Sequence, residues 1–166
     1  VSPSNESWIT KSSLLNNHYR YLLETYGTDS FLLPPTSQPA ARAKVREWMS
    51  AAEGTFMIHA LAILYARWRL PEAAKSSLPE MEKGLSVNVQ RDLDWLEDEL
   101  KSGNGEFLVG DELTVADIMV HFSISFIFAR KLGTEGKSWP AVERWMEELE
   151  GLEGYQKVVK KTGYKL

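Results

Sequence analysis

The stretch from Thr114 to Ala129 carries Val115, Ala116, Ile118, Met119, Val120, Phe122, Ile124, Phe126, Ile127 and Phe128, apolar side chains that point in nearly every direction once wound into a helix. A helix with almost no polar face is unstable on a surface, so it belongs at the centre of a bundle with the other elements arranged around it. Those other elements read as helices too. Leu15, Tyr19, Leu22, Leu23 and Tyr26 fall at helical spacing in a helix from Leu14 to Tyr26, with Ser12 or Ser13 as N-cap and Gly27 as its stop. From Pro39, a good first-turn residue, Val45, Trp48, Met49, Ala52, Phe56, His59, Ala60, Ile63 and Leu64 keep one face apolar to about Arg69, and a bend in this long helix would fall near Gly54. Beyond the breakers Pro71 and Pro79, Leu85, Val89, Leu93, Leu96 and Leu100 repeat at helical intervals up to Gly103. Two shorter helices, Pro140 to Glu150 and Leu152 to Lys161, close the chain. No period-two strand is readable. The expected fold class is all-α, a helical bundle whose two long helices pack antiparallel.

The residues from Thr28 to Gln38 combine turn formers with Pro34-Pro35, which neither a helix interior nor a central strand accepts. They read as a linker, dividing the chain into an N-terminal helix with linker (1–38) and a helical domain (39–166).

Composition narrows the functional classes. A net charge of -4 gives no attraction for nucleic acid or an anionic membrane surface, and Lys157, Lys160, Lys161 and Lys165 at the tail suit the end of a helix dipole better than a polyanion. There is no cysteine, which excludes disulfides, thiolate catalysis and Cys-based metal sites within these residues and fits an intracellular setting. No run reaches the roughly 18 consecutive apolar residues of a membrane span, and the N-terminus has no secretory pattern. His18, His59 and His121 have no metal-ligand spacing, and His59 and His121 fall on inward faces where packing or a single hydrogen bond explains them. The acidic residues Asp92, Asp94, Glu97 and Asp98 read as a solvated helix face. No catalytic residue and no metal site is identified.

The most specific motif opens the central helix: Gly110-Asp111-Glu112-Leu113-Thr114-Val115-Ala116-Asp117. Thr114 is placed to cap the first turn while Asp117, three residues on, reaches back to the Thr114 N–H; Leu113 and Ile118 hold the two hydrophobic-staple positions. Both polar residues are read as structural, and Asp117→Ala is expected to cost about 1 to 2 kcal/mol as a lost cap.

This motif resembles the G-D-x-L-T-x-A-D pattern in the C-terminal domain of cytosolic glutathione transferases. Other segments follow in the same order. Tyr21-Leu22-Leu23-Glu24-Thr25-Tyr26-Gly27 resembles the end of the last helix of that family's thioredoxin-like domain, and Pro34-Pro35 its interdomain connector. Trp48 and Ala52-Glu53-Gly54 resemble its first long C-terminal helix, and Trp139-Pro140-Ala141-Val142-Glu143-Arg144-Trp145 with Gly154-Tyr155-Gln156-Lys157 its closing helices.

The resemblance implies a helical domain lining the hydrophobic second-substrate site of an enzyme that conjugates glutathione to electrophiles. Phe56, Met57, His59, Ala60 and Ile63 are then the candidate lining residues, with Tyr65 beyond them and Glu53 a candidate for meeting a partner subunit. Nothing matches the family's thiol-activating residue or its cis-proline. The places of its glutathione-holding Glu-Ser pair are taken by Leu14 and Leu15, while Glu6-Ser7 lies about eight residues too early for the role. The thioredoxin-like half is accordingly absent from these residues, no cofactor is expected on the chain alone, and glutathione enters only as a co-substrate by resemblance. The implied partners are a small hydrophobic electrophile and either a second copy or a covering domain; the implied setting is cytoplasmic detoxification, without transferase activity in the isolated chain. A non-catalytic protein-association module of the same fold, or a carrier of apolar ligands, fits the same residues.

Overall fold

Pro39 fixes the backbone at the start of a helix, and in the computed structural model the chain stays helical from there to Arg69. The structure describes residues 15–27, 32–103 and 105–163. The expected caps at Ser12 and Ser13, the Leu14-Leu15 side chains and Glu6-Ser7 lie outside what is described. Seven α-helices follow in order: α1 (Leu15–Tyr26), α2 (Pro39–Ala51), α3 (Ile58–Arg69), α4 (Leu78–Ser102), α5 (Val115–Ala129), α6 (Pro140–Gly151) and α7 (Glu153–Thr162). Among the described residues the only extended pairing is an isolated bridge between Phe107 and Gly110, so the fold is all-α.

α2 and α3 are joined by a π-helical turn, Ala52–Met57, at the place where the glycine at position 54 marked a bend. A π turn widens the helix and leaves carbonyls poorly matched to the next turn's N–H groups. Here Ser123 on α5 donates its hydroxyl to the Ala52 carbonyl at 3.0 Å, so the irregular turn is stitched to the central helix. The same turn swings Phe56 inward beside Trp48 and Trp95; the Trp48 and Trp95 rings stack 4.4 Å apart at 15°. Taken together, Pro39 to Arg69 is long and apolar enough, by length and composition, to cross a membrane, although polar residues interrupt every apolar run within it. Its inner side is core, with Val45, Trp48, Phe56, Ala60 and Ile63 completely buried.

α4 returns antiparallel to α3: His59 meets Asp92 near one end of the pair and Arg67 meets Glu82 near the other. A 3-10 turn, Glu72–Ser77, makes the reversal, and Pro79 sits in the first turn of α4 rather than ahead of it. α5 packs on α2 and the π turn along one side and approaches α6 on another. It buries Val115, Ala116, Met119, Val120, Ile124 and Ile127, yet Ile118 and Phe122 remain 37% and 41% exposed, so this helix is covered on most sides and not on all.

Candidate functional site

The five residues carried over from the resemblance are placed by two elements, the π turn and the first turns of α3. Phe56, Ala60 and Ile63 are completely buried in the core, while Met57 and His59 keep part of their surface in water. Phe56 is held in the aromatic stack with Trp48 and Trp95. Tyr65 is half-exposed and meets Trp68 edge-on, 6.2 Å between ring centres, and Glu53 is partly exposed on the π turn.

His59 is the only member of the set with a described ionic partner. Its Nδ1 lies 2.6 Å from Oδ2 of Asp92, a residue 9% exposed. Burial pushes the Asp92 carboxyl above its ordinary range, and the hydrogen bond and charge of His59 pull it back only in part. His121, by contrast, sits where three helices meet. Its Nε2 lies 3.2 Å from Glu150 on α6 and 3.4 Å from the Ser125 hydroxyl, and its ring packs edge-on against Trp145 and Tyr155. Burial lowers its basicity below the ordinary histidine value, with Glu150 opposing. Because serine and glutamate share one imidazole nitrogen, the group has no relay geometry for nucleophilic catalysis.

The solvated-face reading of α4's acidic residues needs correcting. Asp92 and Glu97 are buried, and three of the carboxylates join helices. Glu97 Oε2 accepts the N–H groups of Ala141 and Val142 at 2.9 and 3.0 Å, capping α6 from a neighbouring helix, and Lys101 lies 3.0 Å from Oε1. Burial raises the Glu97 carboxyl, but the Val142 N–H, the Lys101 ammonium and the Ala141 N–H together hold it below the usual range. Asp94 accepts the Trp139 indole N–H at 2.7 Å. The signal was present in the sequence: on a helical wheel Asp92 and Glu97 lie on the shoulders of the Val89-Leu93-Leu96 stripe, whereas Asp98 lies opposite and is exposed.

Asp117 has no exposure at all and four described donors. Oδ2 accepts the Thr114 N–H at 2.9 Å and the Thr114 hydroxyl at 2.8 Å; Oδ1 accepts the Leu108 N–H at 2.9 Å and the Trp145 indole N–H at 3.2 Å. The reciprocal capping box at the start of α5 is present. One carboxylate thereby ties the 107–114 loop, α5 and α6 together.

A concavity of about 1090 Å³ lies between α1, the linker, α2 and the 107–114 loop; Thr114 lines it, while His59, Asp92, Glu97 and His121 do not. Leu23, Leu33, Pro34 and Val109 give it apolar walls, and Arg42 and Arg46 stand along it, Arg42 donating to the Pro34 carbonyl and Arg46 to Glu24. Among the described residues no group of three or more His, Asp and Glu side chains could hold a metal ion.

Residues 21–153 match the family model described as glutathione S-transferase, C-terminal domain. A curated relative, glutathione S-transferase 1 of Saccharomyces cerevisiae, is 31% identical over 70 residues, 42% of this chain and 29% of that protein. Among solved structures, a glutathione transferase from Methylococcus capsulatus is 26% identical with a TM-score of 0.64, over 89% of this chain and 66% of that one. Ure2p5 from Phanerochaete chrysosporium, cocrystallized with 1-(S-glutathionyl)-2,4-dinitrobenzene, is 20% identical with a TM-score of 0.67, over 88% and 66%. The chain thus spans about two thirds of the length of these solved relatives and a smaller share of the yeast protein.

Proposed function

We propose, from the premise that this chain belongs to the family of glutathione S-transferase C-terminal domains, that it forms the helical half of a glutathione-conjugating enzyme. In that reading residues 1–38 are the remnant and linker of the preceding unit, and 39–166 are the helical domain. The π turn and the start of α3 supply one wall of the site for a small hydrophobic electrophile. Met57 and His59 are the members of the Phe56, Met57, His59, Ala60 and Ile63 set with surface to offer a ligand, and the buried three hold them in place. Glutathione is the co-substrate, held by a thioredoxin-like unit that seats in the 1090 Å³ groove. Cytoplasmic detoxification goes with this reading.

The observation that carries the proposal is the agreement of the matched region, 21–153, with the helical elements from α1 to α6. Its test is turnover of a chloronitrobenzene with glutathione, together with retention on immobilised glutathione. The isolated chain is expected to show neither; either one overturns the division of labour proposed here.

An association role is favoured by one further observation, the row of Ile58, Tyr65 and Trp68, 58%, 50% and 64% exposed at helical spacing along α3. A second copy of the chain is the proposed occupant. Sedimentation should report a dimer that Trp68→Glu dissociates, and a monomer at all concentrations would refute it.

A further inference from the structure

The bond between His59 and Asp92 divides its two partners unequally. The carboxylate is nearly enclosed, at 11% side-chain exposure, whereas the imidazole keeps 35%. A carboxylate on Nδ1 fixes the neutral ring as the Nδ1–H tautomer and leaves the lone pair on Nε2, the nitrogen turned away from the bond. Joining two helices does not require this arrangement. A pair of amides would hold α3 to α4 without burying an ionisable group, and burying a carboxylate is costly unless its charge is used. A buried orienting acid behind a water-accessible imidazole is how nucleophilic and general-base histidines are prepared. Thr55, four residues earlier in the π turn, is partly buried, and the partly exposed Met57 provides apolar surface nearby in the chain.

From this geometry we infer that His59 and Asp92 form a nucleophilic dyad for small activated acyl compounds, giving the chain an ester-cleaving activity separate from any chemistry of glutathione. His59 Nε2 attacks the ester carbonyl, the C–N bond forms, and the bond from carbon to the leaving oxygen breaks with its electron pair passing to that oxygen. The acyl-imidazolium that results is stabilised at Nδ1–H by the Asp92 carboxylate. Water then adds to the acyl carbon, releases its protons to solvent, and the C–N bond breaks to return the neutral ring and a free carboxylate. His59 is the catalytic residue of this step, and Asp92 positions it.

The test is hydrolysis of p-nitrophenyl acetate by the whole chain, followed by p-nitrophenolate release in the absence of thiol, so its outcome is independent of the transferase reading. The wild-type rate should exceed that of His59→Gln by about a hundredfold. Asp92→Asn should fall about tenfold below wild type, and His121→Gln should keep the wild-type rate. Nitrogen chemical shifts of the His59 ring should report the Nδ1–H tautomer in wild type and the Nε2–H tautomer in Asp92→Asn, a change that a merely structural bond would not couple to the rate. Equal rates for wild type and His59→Gln, or a wild-type rate no greater than that of free imidazole at the same concentration, would overturn the inference. Should either variant lose its helical circular dichroism, wild-type protein treated with diethyl pyrocarbonate decides alone. Mass spectrometry should find His59 acylated ahead of His18 and His121, and a uniform distribution or a different first site would refute the dyad.

Discussion

The indole nitrogen of Trp145 stands 3.2 Å from Oδ1 of Asp117, and this contact makes the cap of one helix part of the packing of another. Removal of the carboxylate would strand the buried Thr114 N–H and Trp145 indole, with the partly buried Leu108 N–H beside them. Asp117→Ala is therefore expected to cost about 3 to 5 kcal/mol, beyond the value of a lone cap. Trp145→Phe, which leaves the cap intact, should show a smaller polar loss alongside its loss of packing. Thermal melts of the two variants check this, and a fall in Tm for Asp117→Ala no larger than that of an exposed N-cap variant would reduce Asp117 to its local role.

Glu97 makes a comparable claim from another element. With both Ala141 and Val142 N–H groups resting on one buried oxygen, Glu97→Ala should cost about 2 to 3 kcal/mol. Its carboxyl is held below the ordinary range in the folded chain, so the folded state binds its proton less readily than the unfolded state. The stabilisation is full above the ordinary carboxylate range and is lost as pH falls through the lower, folded value. The difference in unfolding free energy between wild type and Glu97→Gln should accordingly shrink on acidification, measured by urea titration at successive pH values. A difference that grows would reverse the assignment.

How much of this was legible in the sequence depends on the reach of each interaction. α5 announced itself because apolar side chains spread nearly all the way round its 15 residues point to an interior position, and its start was marked by Thr114 and Asp117 three residues apart. The other donors to Asp117, at Leu108 and Trp145, lie nine and 28 residues away, and no local pattern specifies them. The π turn was visible only as a glycine, since the Ser123 hydroxyl that accommodates it belongs to a helix 71 residues on. Asp92, Asp94 and Glu97 looked like solvent-facing charge because acidic residues on a helix usually are. Their partners, His59, Trp139 and the start of α6, become apparent only when three helices are brought together. The candidate lining residues illustrate the same limit: helical spacing places Phe56, Ala60 and Ile63 on an inward face, and the spacing alone cannot separate a core from a ligand wall.

His121 gives a pH dependence of known sign. Burial among Trp145, Tyr155 and Ser125 lowers its basicity, with the Glu150 carboxylate opposing, so the folded chain prefers the neutral ring more than the unfolded chain does. Stability is unaffected well above the ordinary histidine pKa of 6.5, begins to fall as pH drops through it, and levels off once the folded-state ring also takes a proton. Tm measured across this range should fall more steeply for wild type than for His121→Gln. Parallel curves would show that the ring charges without cost.

Gly133 and Gly136 separate backbone strain from crowding within one loop. Both have positive φ, 74° and 75° respectively, so a side chain at either costs about 1 kcal/mol in conformation alone. At Gly136 a Cβ would meet nothing within 4 Å, and Gly136→Ala should stop near that figure. At Gly133 the same atom would lie 2.9 Å from Ile63 Cδ1, 3.1 Å from Ser86 Cα and 3.1 Å from Val89 Cβ. Ile63 and Val89 are completely buried, and the Gly133 carbonyl is held by the Gln90 amide at 3.0 Å, so the loop cannot lift away without breaking that bond. The neighbouring Arg130 and Lys131 carbonyls are held in turn by Arg67, whose guanidinium is fixed by two bonds to Glu82. Gly133→Ala should then cost about 3 to 4 kcal/mol, strain and overpacking combined. The urea midpoint should drop with the slope of the transition unchanged; equal midpoints for the two alanine variants would mean that the loop moves freely and that its contacts with α3 and α4 contribute little.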